Sequence, residues 1–247
     1  MTQYAHDEVK PYLESNLEKK EQVAEMFDNI AFRYDFLNRF LSAGIDMSWR
    51  KKAIKRLENI HPQKILDVAT GTGDVALMTY KMLHPQQITG IDISEGMLKV
   101  GQEKIDKEKL NDFITLQKGD SENLPFEDNS FDAITVAFGV RNFQHLEKGI
   151  DEMYRVLRPG GKLIVIEFSR PKNKLVKLGY EFYMKAVTPN VGKAISKNKE
   201  AYQYLNVSAL KFPERNNFIK VLNKSGFKNT LYKPMTMGIC CIYEGVK

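Results

Sequence analysis

The stretch Lys64–Asp92, KILDVATGTGDVALMTYKMLHPQQITGID, decides the reading of this chain. KILDV is a short apolar run fit for a buried strand, and it breaks into a turn that holds Gly71 and Gly73. DVALMTYKML then carries apolar side chains at helical spacing to about Leu83, and Ile88–Ile91 reads as a second strand. Strand, glycine turn, helix and strand make one right-handed unit of a parallel sheet. Glycines after the first strand permit the tight turn and let a ligand approach the backbone at the positive end of the helix. Asp92, nineteen residues beyond Gly73, ends the second strand, where a carboxylate can accept both hydroxyls of a ribose. The combination predicts a nucleoside-type ligand at Gly71, Gly73 and Asp92.

The alternation continues downstream. Ser94 is placed to cap a helix running to about Lys107, and a further helix fills about Gln144–Leu157. Phe113–Lys118, Ala133–Phe138 and Lys162–Phe168 read as strands. Phe227–Lys233 and Gly238–Tyr243 read as an antiparallel pair joined by a short loop at Pro234. The expected fold is α/β: a Rossmann-like, mostly parallel seven-stranded sheet with an antiparallel C-terminal strand.

Upstream, residues 16–57 read as helical. Val23, Met26, Phe27 and Ile30 recur at helical spacing, and Tyr34, Phe36, Leu37, Phe40 and Leu41 make a second apolar cluster. Asp46 or Ser48 is expected to cap a helix ending near Arg56. So aromatic an opening is expected to pack over something. Residues 171–212 are longer than a normal crossover and read as helical in pieces, an insertion of the kind that usually serves function. The expected organisation is a single domain: an N-terminal cap (1–60), a ligand-binding core (61–170), a helical insertion (171–212) and a final helix with the strand pair (213–247).

Composition narrows the class. A chain of 247 residues buries a sizeable core without disulfide or metal staples, and 43% hydrophobic with 28% charged residues argues against disorder. No run approaches the length of a membrane span, and the opening residues lack the apolar centre of a secretory leader. Cys240 and Cys241 are neighbours that alternate across a strand, so they read as reduced packing residues of a cytoplasmic protein. Four scattered histidines show no metal-ligand spacing.

Two nucleoside ligands compete for the loop. Ala76, in the third-glycine place, would allow a dinucleotide. Asp67 and Asp74 around the loop instead suit the sulfonium and ammonium of S-adenosylmethionine and would repel a pyrophosphate. Asp120 and Ser121, at the end of the third strand, are placed to bond the adenine amine. Charge decides for the sulfonium.

The run GDSENLPFEDNSFDAITVAFGVRNFQHLEKGIDEMYRVLRPGGKLIVIEFSRP (Gly119–Pro171), with the Asp67–Asp74 loop, resembles the class I S-adenosylmethionine-dependent methyltransferases. FDNIAFRYDFLNRFLSAGIDMSWRKKA (Phe27–Ala53), AFGVRN (Ala137–Asn142) and AYQYLNVSALKFPE (Ala201–Glu214) narrow the resemblance to the menaquinone/ubiquinone biosynthesis C-methyltransferases, over nearly the whole chain. The resemblance implies cofactor contacts at Thr72, at Asp92 for the ribose, and at Asp120 and Ser121 for the adenine. It departs at Ala137, where many members carry a hydroxyl residue, so no contact is assigned there.

The resemblance implies transfer of a methyl group to a ring carbon of a prenylated quinol, demethylmenaquinol to menaquinol. Such a carbon is a poor nucleophile until the neighbouring phenol loses its proton, so a base and a positive field are needed. Ligands of open α/β sheets sit outside the carboxyl ends of the strands, which puts Gly139–Asn142 at the methyl. Arg141 is expected to stabilise the phenolate or orient a proton-accepting water, and Asn142 to fix the ring. A salt bridge to a loop carboxylate is the competing role for Arg141. His145 is an alternative base that reads more readily as a surface residue at a helix start, and Asp132 reads as structural.

Basic residues exceed acidic ones by 37 − 31 = 6. Residues 171–212 hold eight lysines against Glu181 and Glu200, so this segment carries the whole surplus. Tyr180, Phe182, Tyr183, Met184 and Val187 cluster among those lysines, as in an interfacial helix on an anionic membrane or in a cap helix packed on the core. Lysine without arginine disfavours an RNA-binding or RNA-modifying protein. Other phenolic or sterol-like acceptors, the ubiquinone-pathway benzoquinol among them, and a catalytically silent binding partner remain as rivals.

Overall fold

The computed structural model describes residues 4–183 and 199–247. Seven strands form one sheet in the order β3-β2-β1-β4-β5-β7-β6. β1 (Lys64–Val68), β2 (Gln87–Asp92), β3 (Ile114–Lys118), β4 (Phe131–Ala137) and β5 (Leu157–Phe168) are parallel. β7 (Cys240–Val246) runs antiparallel to both β5 and the edge strand β6 (Lys228–Met235).

Side-chain alternation explains why the parallel strands are apolar throughout. Leu66 and Val68 of β1 point to one face with Ile134 and Val136 of β4, while Ile65, Ala133 and Ile164 point to the other. Helix α5 (Leu146–Val156) and helix α8 (Asn216–Lys224) cover the first face, and α2 (Ile45–Ile54) and α3 (Asp74–Leu83) cover the second. A sheet buried on both sides needs such continuous apolar runs. Both cysteines are buried and unpaired in β7.

A third apolar cluster lies apart from these two. Val23, Met26, Ile30 and Leu37 of α1 (Lys19–Leu41) pack with Met97 of α4 (Glu95–Glu108) and with Ala201 and Tyr204 of α7 (Lys199–Lys211). The aromatic opening therefore does cover something: α1 lies across the edge of the core where the loops gather.

Two local expectations need correction. The helix expected to begin at Asp46 or Ser48 begins at Ile45, and Gly44 holds the capping position at a φ of 75°, which a glycine adopts freely. Asp46 instead binds the side chains of Arg39 and Ser42. Pro234 does not form the final loop; it lies inside β6 opposite Cys241, and the loop follows at Thr236–Ile239. An edge strand tolerates proline because its outward N–H has no partner to lose. Ser94 caps α4 as expected, its hydroxyl accepting from the Met97 N–H at 3.1 Å.

Within the insertion, α6 (Lys174–Phe182) and α7 are helical, as expected. Met184 and Val187 of the expected interfacial cluster lie outside the described residues. Among the described residues no helix is long and apolar enough to cross a membrane, and no His/Cys/Asp/Glu group has the makings of a metal site.

Candidate active site

The carboxyl ends of β1 and β4 adjoin, and the crossovers leave them in opposite directions, which opens a crevice between their loops. The backbone there is strained: Ala69 and Phe138, the residues just after these strands, hold φ of 52° and 59°. Gly139 sits so close to Ala69 that an added Cβ would come within 2.5 Å of the Ala69 Cβ.

A cleft in this crevice is lined by Gly71, Asp92, Asp120, Ser121 and Asn142, five of the eight residues expected at the site. The Gly71 N–H donates to Asp92 Oδ2 at 2.8 Å and the Ser94 N–H to Oδ1 at 2.9 Å, so the second-strand carboxylate is locked against the glycine loop. Burial lifts the Asp92 carboxyl to about 6. Gly71 stands at a φ of 57° with open space where a side chain would be.

Thr72 and Gly73 do not line the cleft. The Thr72 hydroxyl turns to α1 and donates to Asp35 at 2.6 Å. The two loop carboxylates read as partners for a cation are likewise braces. Asp67 is buried beneath the loop, accepts from Thr70 and Thr135 hydroxyls at 2.6 Å each, and is pushed up to about 6 by burial. Asp74 is bound by Arg39 and Lys104. Residues chosen for their charge along the sequence thus serve to hold the loop, because hydroxyls meet Asp67 and basic side chains meet Asp74.

Arg39 belongs to α1, the part of the site that sequence reasoning missed, and Lys104 to α4. Lys20 bonds Asp120 at 2.7 Å, Asp28 accepts from Ser94 Oγ at 2.6 Å and from the Gly96 N–H at 2.7 Å, and Asp35 pairs with Lys104 at 2.5 Å. With Thr72 and Asp74, α1 is tied to the loops after β1, β2 and β3. Val23, Phe27 and Tyr34 of α1 line the cleft itself. The only signal in the sequence was the density of aromatics in this block.

A second cavity, of about 440 Å³, lies beyond the cleft. Its walls are aromatic: Trp49, Phe168, Tyr180 and Tyr183, with Tyr34 and Phe138 lining both spaces. Arg141 lines this cavity, whereas Asn142 faces the first cleft, so the turn after β4 divides its two polar residues between the two chambers. Arg141 does make a salt bridge, though to a strand and not a loop carboxylate: it donates to Glu167 of β5 at 2.7 Å and to the Phe138 carbonyl at 2.6 Å, deep in the protein. Its Nε has no partner, and its guanidinium lies 5.4 Å from the Phe168 ring centre. Burial and the Arg141 pairing act oppositely on Glu167, and burial prevails, raising its carboxyl.

Arg50 was not foreseen. Its guanidinium lies 5.4 Å from the Phe138 ring centre in the same cavity, 3.4 Å from Asp46. His145 is an exposed residue at the start of α5, in keeping with its expected surface place. Asp132 accepts from the Gln63 and Lys64 N–H groups at 2.6 and 2.9 Å, and is structural.

Comparison with known proteins follows the same line. The model of the ubiE/COQ5 methyltransferase family matches residues 15–247. The demethylmenaquinone methyltransferase of Bacteroides fragilis is 47% identical, over 99% of this chain and 99% of the relative. The ubiquinone/menaquinone biosynthesis C-methyltransferase UbiE of Geotalea daltonii is 46% identical over 93% of this chain and 98% of its own. Among solved structures, a SAM-dependent methyltransferase of Thermotoga maritima, described as a possible histamine N-methyltransferase, shares the fold with a TM-score of 0.61 and 21% identity, over 90% of this chain and 99% of that one. The [4+2]-cyclase SpnF shares it with a TM-score of 0.64 and 19% identity, over 89% and 76%. Family model, full-length relatives and crevice agree, and the chain belongs to the ubiE/COQ5 methyltransferase family.

Proposed function

We propose that the chain methylates a ring carbon of a prenylated quinol with S-adenosylmethionine, converting demethylmenaquinol to menaquinol. The observation that carries this reading is the shared wall: Tyr34 and Phe138 line both the cleft and the aromatic cavity, so a ligand in one meets a ligand in the other there. The aromatic walls suit a flat bicyclic ring.

The cleft residues fit the cofactor. Asp92 offers a fixed carboxylate to a diol, Gly71 presents bare backbone, and the buried Oδ1 of Asn142 has no partner within the protein. That oxygen is an acceptor waiting for a positively charged neighbour. Asp120 and Ser121 take the adenine end. When bound, S-adenosylmethionine supplies an electrophilic methyl group and a neutral thioether leaving group.

Arg141 does the corresponding work on the quinol. Glu167 and the Phe138 carbonyl fix its guanidinium, and its unpartnered Nε is a donor for the phenolate oxygen that makes the ring carbon nucleophilic. Arg50 adds a second positive charge across the Phe138 ring. Holding carbon and methyl in line across the Tyr34–Phe138 wall supplies much of the remaining rate. Peripheral contact with an anionic membrane, where a tailed quinol resides, belongs to the same reading.

The test is anaerobic incubation of the purified protein with S-adenosylmethionine and either demethylmenaquinol or the demethylated benzoquinol of the ubiquinone pathway. The naphthoquinol is expected to gain one methyl group by mass. Methylation of neither ring overturns the proposal, and turnover of the benzoquinol alone reassigns the substrate.

A further inference from the structure

Three elements rim the aromatic cavity, and each carries exposed apolar side chains on its outside. The last turns of α1 and the start of α2 line the cavity with Asn38, Leu41 and Ile45; α6 lines it with Val176, Gly179 and Tyr183; the β6–β7 turn lines it with Thr236 and Ile239. Tyr183 ties two of these together by donating to the Leu41 carbonyl at 2.6 Å. On the outside of these elements stand Phe32, Phe36 and Phe40 of α1, Leu175 and Leu178 of α6, and Met237 of the turn.

Their exposure is unusual in degree: Phe32 is 91% exposed, Leu175 82% and Met237 72%. With Ile45, they are seven of the twelve large apolar side chains exposed among the described residues. Scattered exposed apolar residues need no explanation, but a concentration on one rim does. The three phenylalanines recur every fourth residue, so they share one helix face, and Phe36 and Phe40 stack with centroids 6.1 Å apart. Buried α1 residues such as Met26, Ile30 and Leu37 hold the helix down from its other side.

Exposed lysines stand beside this rim. Lys172, Lys174 and Lys177 stand exposed on and before α6, and Lys51 and Lys52 on α2. Aromatic and aliphatic side chains beside a lysine flank are what an anionic bilayer surface binds: the rings enter the headgroup boundary and the ammonium groups meet the phosphates.

We propose that the outer face of the cavity rim, Phe32, Phe36 and Phe40 with Leu175, Leu178 and Met237, docks on an anionic lipid bilayer and sets the cavity mouth at the membrane. This rests on the reading that the substrate is a membrane-resident quinol. The docking face is thus largely α1, and α6 with the residues before it supplies flanking lysines.

The experiment uses the full chain and its Phe32→Ser/Phe36→Ser/Phe40→Ser variant, whose altered side chains lie outside both the cleft and the cavity. Each is floated with vesicles of phosphatidylglycerol and phosphatidylcholine, and with phosphatidylcholine alone. Each is also assayed on a long-tailed demethylmenaquinol in the mixed vesicles and on a single-prenyl analogue in solution. The parent is expected to float with the mixed vesicles, and the variant to lose at least about tenfold in partitioning. The variant's KM for the vesicle substrate rises accordingly, while turnover of the soluble analogue is unchanged. Equal flotation of parent and variant overturns the assigned face, and equal flotation on both lipids overturns the anionic partner. A parent that does not float, or a dimer that the substitutions dissociate while vesicle binding stays intact, overturns the proposal. Failure to methylate either quinol defeats the substrate reading and leaves flotation as an independent result.

Discussion

The Lys20 ammonium lies 2.7 Å from Oδ2 of Asp120, an ion pair that ties the first turn of α1 to the loop after β3. The Glu122 N–H donates to the other carboxylate oxygen at 2.9 Å, so Asp120 is held from both sides where it lines the first cleft.

Asp120 and Lys20 should separate in their effect on cofactor binding. Both side chains are about a third exposed, so screening limits the pair itself to about 1 kcal/mol or less. Lys20→Met is expected to weaken S-adenosylmethionine binding less than about threefold by calorimetry. Asp120→Ala removes in addition the acceptor proposed for the adenine amine, and on that proposal should cost about tenfold to a hundredfold. Equal losses would mean that Asp120 acts only through the latch.

Acid should act on folding and on ligand binding in opposite directions. Burial lifts Asp67 and Asp92 from 3.8 to about 6 each. The folded chain therefore holds more protons than the unfolded one between pH of about 4 and about 6. The stability these groups contribute is fully present below about pH 4 and is lost as pH rises through about 6. The ribose contact proposed for Asp92 needs its ionised form, so on that proposal affinity for S-adenosylmethionine should decline as pH falls below about 6. Calorimetric titrations across this window should show the decline in the parent and a weaker, flatter response in Asp92→Asn.

Removing Arg141 should injure stability and turnover separately. Arg141→Ala leaves Glu167 buried without its cation, a loss of about 3–5 kcal/mol in denaturant unfolding. Adding Glu167→Gln should restore much of that stability, because a neutral amide tolerates the site. Turnover should stay at least about a hundredfold below the parent in both variants, with cofactor affinity nearly intact. Recovery of turnover together with stability would confine Arg141 to packing.

Gly139→Ala tests the wall between the chambers. The new methyl group would meet Ala69 Cβ at 2.5 Å and Val136 Cγ1 at 3.2 Å, so the backbone beside Phe138 must move. A stability loss of about 1–3 kcal/mol is expected from the overpacking. Turnover should fall more than about tenfold through misplacement of the two ligands. An unchanged rate at reduced stability would show that the wall tolerates displacement.

The seven strands, their mostly parallel order and the crevice at the glycine loop were legible because each rests on local signals. Apolar runs of strand length, a helix-period stretch between them and a Gly-x-Gly turn at the crossover recur within about thirty residues. Asp92 could be placed by counting, since the second strand of such a unit ends at the first loop, and the structure bonds it to Gly71. Pro234 was misplaced because a proline signals a loop unless its strand is an edge, and edge position is a property of the whole sheet.

The sequence by itself determined the fold class, the glycine loop, the place of Asp92 at the end of the second strand and, through the narrower blocks, the family. Which charges face a ligand was decided only in three dimensions. Asp67 and Asp74 look as available as Asp92 along the chain, yet Thr135, Arg39 and Lys104 from distant elements, with Thr70 nearby, consume them. The division of Arg141 from Asn142, the entry of Arg50 and the covering role of α1 arise likewise from contacts between segments far apart in sequence. Periodicity fixes which face of a helix is apolar; what that face meets, and which buried charge is left over for chemistry, depends on packing that no local pattern encodes.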